Sequence, residues 1–240
     1  MNAEEYYKYN ATIHGHASAT SRMGGKVLPP RPTEVEWALH WFRHAGIRGS
    51  LLDVGCGPLN LLRGAEMDFE ERTGTDIVSY PIWAEQLQIK TLVHNLDEGK
   101  LPFPDASFDA VTMLMVLEHV FDPYHAVREL RRVVKPQGAV VIGVPNIASI
   151  RHRIGLLFGK FPVTSTATSF PEGSWDGYHL HNFTRASLDW LLRREGLMPE
   201  HWAAQGAFQS LKRISPSLFG YDLVVFCRVG YPEPNRPAAF

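Results

Sequence analysis

Short apolar runs alternate along the chain with amphipathic stretches of helical period. Residues 51–54, 108–114 and 139–144 are mainly apolar runs of strand length, and the last is apolar throughout, as a central parallel strand should be. Residues 73–77 and 90–94 supply two further strands. Helices fall before and between them. The Thr33-x-x-Glu36 spacing is a capping box, and Val35, Leu39 and Phe42 then share one face of a helix that ends near Gly46. A short helix is predicted over residues 59–67. Asp122 caps the next, with Pro123 at its first position and Val127, Leu130, Val133 and Val134 on the buried face. Arg128, Arg131 and Arg132 would form its solvated face, and Pro136 to Gly138 would end it. Residues 151–158 suit a short helix. Thr184 caps another, with Leu188, Leu191 and Leu192 buried and Gly196 closing it. Two last strands, near 200–205 and 222–229, can form an antiparallel edge.

This order predicts an α/β fold: a doubly wound, mostly parallel, Rossmann-like sheet with an antiparallel C-terminal edge. The domain should cover residues 33–230. Residues 1–32 have no clear period and read as an arm or lid. Residues 145–182 interrupt the alternation, and so long an insertion inside a compact domain is usually functional. Its aromatic and histidine content suits a lid over a substrate, with Trp175 and Tyr178 lining the pocket. Residues 231–240 form a Pro-rich tail that should be loose.

Composition changes this picture little. The chain has 240 residues, 45% of them hydrophobic, and a net charge of −1. That charge gives no electrostatic footprint for nucleic acid or an anionic membrane. Cys56 and Cys227 are the only cysteines, too few for a disulfide framework, so a reducing cytoplasm is expected. The acidic, polar start is not a signal peptide, and no apolar run approaches a membrane span.

Chemistry concentrates first at Leu51-Leu52-Asp53-Val54-Gly55-Cys56-Gly57-Pro58-Leu59-Asn60. A buried strand ends in an acid, and Gly55 and Gly57 let the backbone turn sharply against a ligand. Pro58 suits the first position of the following helix, whose exposed amides could bind polar ligand groups. A dinucleotide fingerprint wants a third glycine, but Asn60 stands in its place. Asp53 would repel a pyrophosphate and tolerate a cation. Asp76 ends the second strand 23 residues beyond Asp53, where an acid can accept both hydroxyls of a ribose.

Asp53-x-Gly55-x-Gly57 resembles motif I of the class I S-adenosylmethionine-dependent methyltransferases, whose usual form is D-x-G-x-G-x-G. It departs from that form at Leu59, where the family often has glycine. The run Leu101-Pro102-Phe103-Pro104-Asp105-Ala106-Ser107-Phe108-Asp109 is similar to a further block of the same superfamily. Pro145-Asn146 with Ser149, Arg151 and Arg153, then Phe161-Pro162-Val163-Thr164 and His179-x-His181, resembles two groups within it. One comprises methyltransferases of sugar and cell-surface polysaccharide biosynthesis, the other MetW-like proteins of methionine biosynthesis.

The resemblance implies binding of S-adenosylmethionine and its product S-adenosylhomocysteine. Asp53, Gly55, Cys56 and Gly57 would hold the amino-acid part, Asp76 and Ile77 the ribose, and Asn95 with Leu96 the adenine, with Asp97 a rival for Asn95. Met113 at the end of the fourth strand could touch the cofactor, and Glu118 and His119 the substrate side. The acceptor is then a small molecule, most simply through a hydroxyl, and the candidate general bases are His119, His179 and His181. His179 and His181 lie two apart and would face the same way in an extended segment. Two imidazoles could bind a metal, but no carboxylate stands at clear ligand spacing, so no metal is expected. A homodimer is compatible with the chain. The alternatives are a dinucleotide-dependent oxidoreductase and a MetW-like protein that keeps the cofactor fold without strong activity of its own.

Overall fold

The computed structural model describes residues 32–164, 179–205 and 215–237. The expected N-terminal lid and the residues Trp175 and Tyr178 lie outside these. Helix α1 (Glu34–His44) opens on the expected capping box. The Thr33 hydroxyl accepts from Glu36 N, and the Glu36 carboxylate accepts from Thr33 N at 2.8 Å. There follow β1 (Ser50–Val54), α2 (Asn60–Gly64), β2 (Glu71–Asp76), α3 (Pro81–Leu87) and β3 (Lys90–Val93). After a single 3-10 turn at Leu96–Glu98 come β4 (Phe108–Leu114), α4 (Pro123–Val133) and β5 (Val134–Pro145). The C-terminal part holds α5 (Ile150–Leu157), α6 (Arg185–Arg194), β6 (Leu197–Gln205), α7 (Pro216–Phe219) and β7 (Asp222–Val229).

The strands form one seven-stranded sheet in the order β3-β2-β1-β4-β5-β7-β6. The first five are mutually parallel, while β7 runs antiparallel between β5 and β6. This is the expected doubly wound sheet with an antiparallel edge. Side chains alternate across it. Val111, Met113, Val140 and Ile142 join one core layer with α4 and α6, and Ala110, Ala139 and Val141 join the other with α1 and α2. Chain order reverses between β1 and β4, so a crevice opens at the carboxyl ends of those two strands.

Four local expectations change. Pro58 does not start a helix. Gly57 (φ 46°) and Leu59 (φ 62°) flank it in the left-handed region, so the chain makes a wide turn and α2 begins only at Asn60. The left-handed φ at Leu59 explains why glycine suits that position; here a fully buried leucine is held there by the core. Second, Arg132 is not solvated. Its guanidinium binds Glu129, Asp105 and the carbonyls of Leu101 and Phe103, while Glu129 accepts from Leu101 N. Third, no Pro-Gly turn separates α4 from β5, because residues 134–138 already belong to the strand. Fourth, the expected loose tail is tied to α6 over residues 231–237. Trp190 Nε1 donates to Arg236 O, and Arg236 pairs with Asp189 at 3.1 Å. Among the described residues, no helix is long and apolar enough to cross a membrane.

Candidate functional site

The acid–glycine turn lies at the switch point. Gly55 has φ 78°, and its amide and that of Cys56 donate to Thr75 O at 2.7 and 3.1 Å. A Cβ on Gly55 would stand 2.2 Å from Val116 Cγ2, so this glycine is required by packing against the end of β4. A Cβ on Gly57 would meet nothing within 4 Å, so that part of the turn borders open space. Gly57 N instead donates to Asp76 Oδ2 at 2.8 Å, and Val78 N donates to Asp76 Oδ1 at 3.0 Å. Asp76 therefore ties the end of β2 to the turn after β1. Ile77 beside it is half-buried. Cys56 is buried against Gly74, and burial pushes its thiol far above the ordinary range.

Asp53 is buried at the end of β1 and accepts a 2.6 Å hydrogen bond from Thr112 Oγ1. Burial raises its pKa to about 7; the Thr112 bond opposes this and the charge of Asp76 adds to it. Burial likewise raises Asp76, against the amides of Gly57, Val78 and Ile77. Tyr80 is pushed up to about 12, first by burial and then by Asp76. A second acidic pair was not anticipated. Asp222 pairs in register with Pro145 at the end of β5, and burial followed by the charge of Glu34 raises it to about 7. Burial raises Glu34 as well.

Two proposed cofactor contacts lie elsewhere. Leu96 is buried in the core layer with Leu101 and Val120. Met113 is fully buried in the same layer and presents no surface to a ligand, because its position in β4 faces α4 rather than the crevice. Asn95 remains at the end of β3 but is engaged locally. It accepts from Asp97 N and donates to Glu98 Oε1. The rival Asp97 accepts from the amide of Phe121.

Beyond β4 the chain turns at Met115, whose φ is 57° and whose amide donates to Gly143 O. His119 N then donates to Val116 O, closing a turn that carries Glu118 and His119. The segment returning from the insertion is fastened here, because Leu180 N and His181 N both donate to Glu118 O, at 2.8 and 3.1 Å. The result is a cluster. His119 Nε2 lies 3.7 Å from Glu118 Oε1, and the rings of His119 and His179 meet edge to face with centroids 4.9 Å apart. Thr164 Oγ1 lies 2.6 Å from His179 Nδ1. His181 takes another course, with Nε2 3.3 Å from Phe121 O and its ring against Phe183. Glu118 and Thr164 enter from segments whose spacing says nothing of their meeting. The position of Glu118 at the ligand-facing end of the fourth strand places it on the substrate side, whereas nothing in the sequence singles out Thr164 as its neighbour.

A sheet in this order, with an acid–glycine turn at its switch point and an acid closing the second strand, is the class I S-adenosylmethionine-dependent methyltransferase architecture. Residues 52–142, somewhat over a third of the chain, match the family model described as the methyltransferase domain. It is 29% identical over 151 residues to a ubiquinone biosynthesis O-methyltransferase of Dechloromonas aromatica, covering 60% of this chain and 62% of that protein. It is 30% identical over 118 residues to a 27-O-demethylrifamycin SV methyltransferase of Amycolatopsis mediterranei, covering 42% of this chain and 41% of the relative. Its matches thus span less than two thirds of either curated relative. The fold is shared with the 1,6-didemethyltoxoflavin-N1-methyltransferase of Burkholderia thailandensis, solved with 1,6-didemethyltoxoflavin and S-adenosylhomocysteine bound. That likeness has a TM-score of 0.62 at 16% identity and covers 95% of this chain and 88% of the other.

Proposed function

We propose that this protein transfers the methyl group of S-adenosylmethionine to an oxygen of a small-molecule acceptor. The observation that carries the reading is the meeting, at one sheet edge, of two polar centres. One is the Asp53–Gly57 turn with Asp76; the other is the cluster of Glu118, His119 and His179. Asp53 and Asp76 offer buried negative charge where a sulfonium and ammonium ligand needs it, and Gly57 leaves room for close approach. In this reading Asp76 also receives the ribose hydroxyls and Asn95 the adenine amine.

The donor methyl is already activated by its positive sulfur, so catalysis rests chiefly on holding donor and acceptor in line. The acceptor oxygen must lose its proton as the new bond forms. Glu118, His119 and His179 act there as a unit that polarises or removes it. The names of the two curated relatives, both O-methyltransferases, support an oxygen acceptor. A sugar hydroxyl is the acceptor suggested by the resemblance of the 145–182 insertion. The same cluster favours an enzyme over a MetW-like partner protein, which needs no acid–base group there.

The test is a panel of sugar and phenolic acceptors with methyl-labelled S-adenosylmethionine, alongside calorimetry with S-adenosylmethionine and NAD. Methyl transfer and cofactor binding without NAD binding are expected. NAD binding with no S-adenosylmethionine binding would overturn the reading.

A further inference from the structure

We propose that Glu118, His119 and His179 hold a divalent transition-metal ion of the zinc class. One ligand atom from each lies within 4.8 Å of the other two. Two histidines and one carboxylate form a donor set used by catalytic zinc and by open-sited iron centres. With metal–ligand bonds of about 2.0–2.2 Å, tetrahedral ligand atoms stand roughly 3.3–3.6 Å apart. The 3.7 Å between His119 Nε2 and Glu118 Oε1 is near that already, and small side-chain rotations complete the set.

Three further features fit a metal better than a lone histidine base. Glu118 is only 1% exposed, so its carboxylate is shielded from bulk water, where an interaction with a divalent ion is strong. Thr164 engages Nδ1 of His179 at 2.6 Å, which fixes the ring and assigns coordination to Nε2, as outer-shell partners of metal-bound histidines do. Finally, the Leu180 and His181 amides clamp the returning segment onto Glu118 O, so ligands far apart in sequence are held together by backbone. The sequence suggested no metal because no carboxylate stands at clear ligand spacing from His179 and His181; in the structure His181 turns away, and the carboxylate and second imidazole come from beyond the end of β4.

Three protein ligands would leave a fourth position for an exogenous ligand, at the sheet edge where Glu118 and His119 follow β4. The ion would take the acceptor oxygen there and lower its pKa. This assignment rests on the methyltransferase reading of the same edge, and the experiment separates the two. The full chain, stripped with chelator and dialysed, is titrated with Zn²⁺ and with Co²⁺ alone, and S-adenosylmethionine binding is measured before and after. One equivalent of metal is expected, with the visible absorption of low-coordinate Co²⁺. His179→Ala and Glu118→Gln should weaken metal binding about 100-fold or more, and Thr164→Val about tenfold. His201→Ala, on the far side of the sheet, should leave it unchanged. Circular dichroism verifies that each variant is folded. Absence of stoichiometric binding, or equal binding by the parent and His179→Ala, overturns the metal site. If S-adenosylmethionine still binds in that case, the methyltransferase reading survives; if it does not, both fall.

Discussion

At the amino ends of β4 and β5, acids sit beside cations. Asp109 accepts from Ser50 N and Oγ and pairs with Lys135 at 2.8 Å, and Glu129 pairs with Arg132 at 2.6 Å. Partial burial would raise both carboxyls, yet these partners hold them below the usual carboxylate range. The opposite edge is built the other way. Asp53, Asp76, Glu34 and Asp222 are all raised by burial, and among the described residues none forms an ion pair with Lys or Arg. One edge is finished by its own side chains; the other keeps a concentration of buried acids whose ionised form a cationic ligand would favour. Much of the L-P-F-P-D-x-S-F-D block belongs to the finished edge. Its resemblance to a methyltransferase family therefore marks a structural joint and not a binding site.

The contrast can be broken most forcefully at the finished edge. Arg132→Ala leaves Glu129 buried without its cation and frees two carbonyls. A loss of about 3–5 kcal/mol in denaturant unfolding is expected, with cofactor affinity of the folded fraction unchanged. At the open edge, His119→Ala or His179→Ala should lower turnover about 10²-fold or more once an acceptor is known, with S-adenosylmethionine affinity preserved. A parallel loss of cofactor binding would show that the returning segment serves the fold alone. Asp76→Ala should weaken cofactor binding by about 1–3 kcal/mol, since it removes a charged acceptor and the tie between β2 and the glycine turn. Thr112→Val removes the one side-chain hydrogen bond that favours ionised Asp53. It should weaken binding at neutral pH by about 0.5–1.5 kcal/mol and shift the pH dependence upward.

The finished features were largely legible in sequence. Capping residues, strand runs and the Asp53 and Asp76 strand ends are local signals, and each stands where its pattern put it. Features that depend on meeting across the sheet were not. A strand period cannot say that Met113 faces α4 and not the crevice, or that Leu96 turns into the core. The left-handed φ of Leu59 is invisible in a leucine, so the helix start was placed too early. Glu118 and His179 come together because two amides of the returning segment find one carbonyl, a contact with no sequence period. The pair Glu34 and Asp222 was missed for the same reason, lying 188 residues apart.

The open edge also sets a pH dependence whose sign is fixed. Asp53 has a folded pKa of about 7, above its ordinary 3.8, so the folded ligand-free chain binds the extra proton between those values. Its contribution to stability is therefore present below about pH 4 and is lost as pH rises towards 7. Binding of a cation reverses the preference, because the ligand favours the carboxylate. The most direct measurement is calorimetric affinity for S-adenosylmethionine from pH 5.5 to 8.5, with Asp53→Asn in parallel. Affinity should climb by up to about tenfold per unit to near pH 7 and then level, with a proton released on binding in the rising part. Asp53→Asn should bind more weakly at pH 8 and lose the slope. A flat profile in the parent, or an unchanged profile in Asp53→Asn, would contradict the claim that this edge keeps its buried acids for a cationic cofactor.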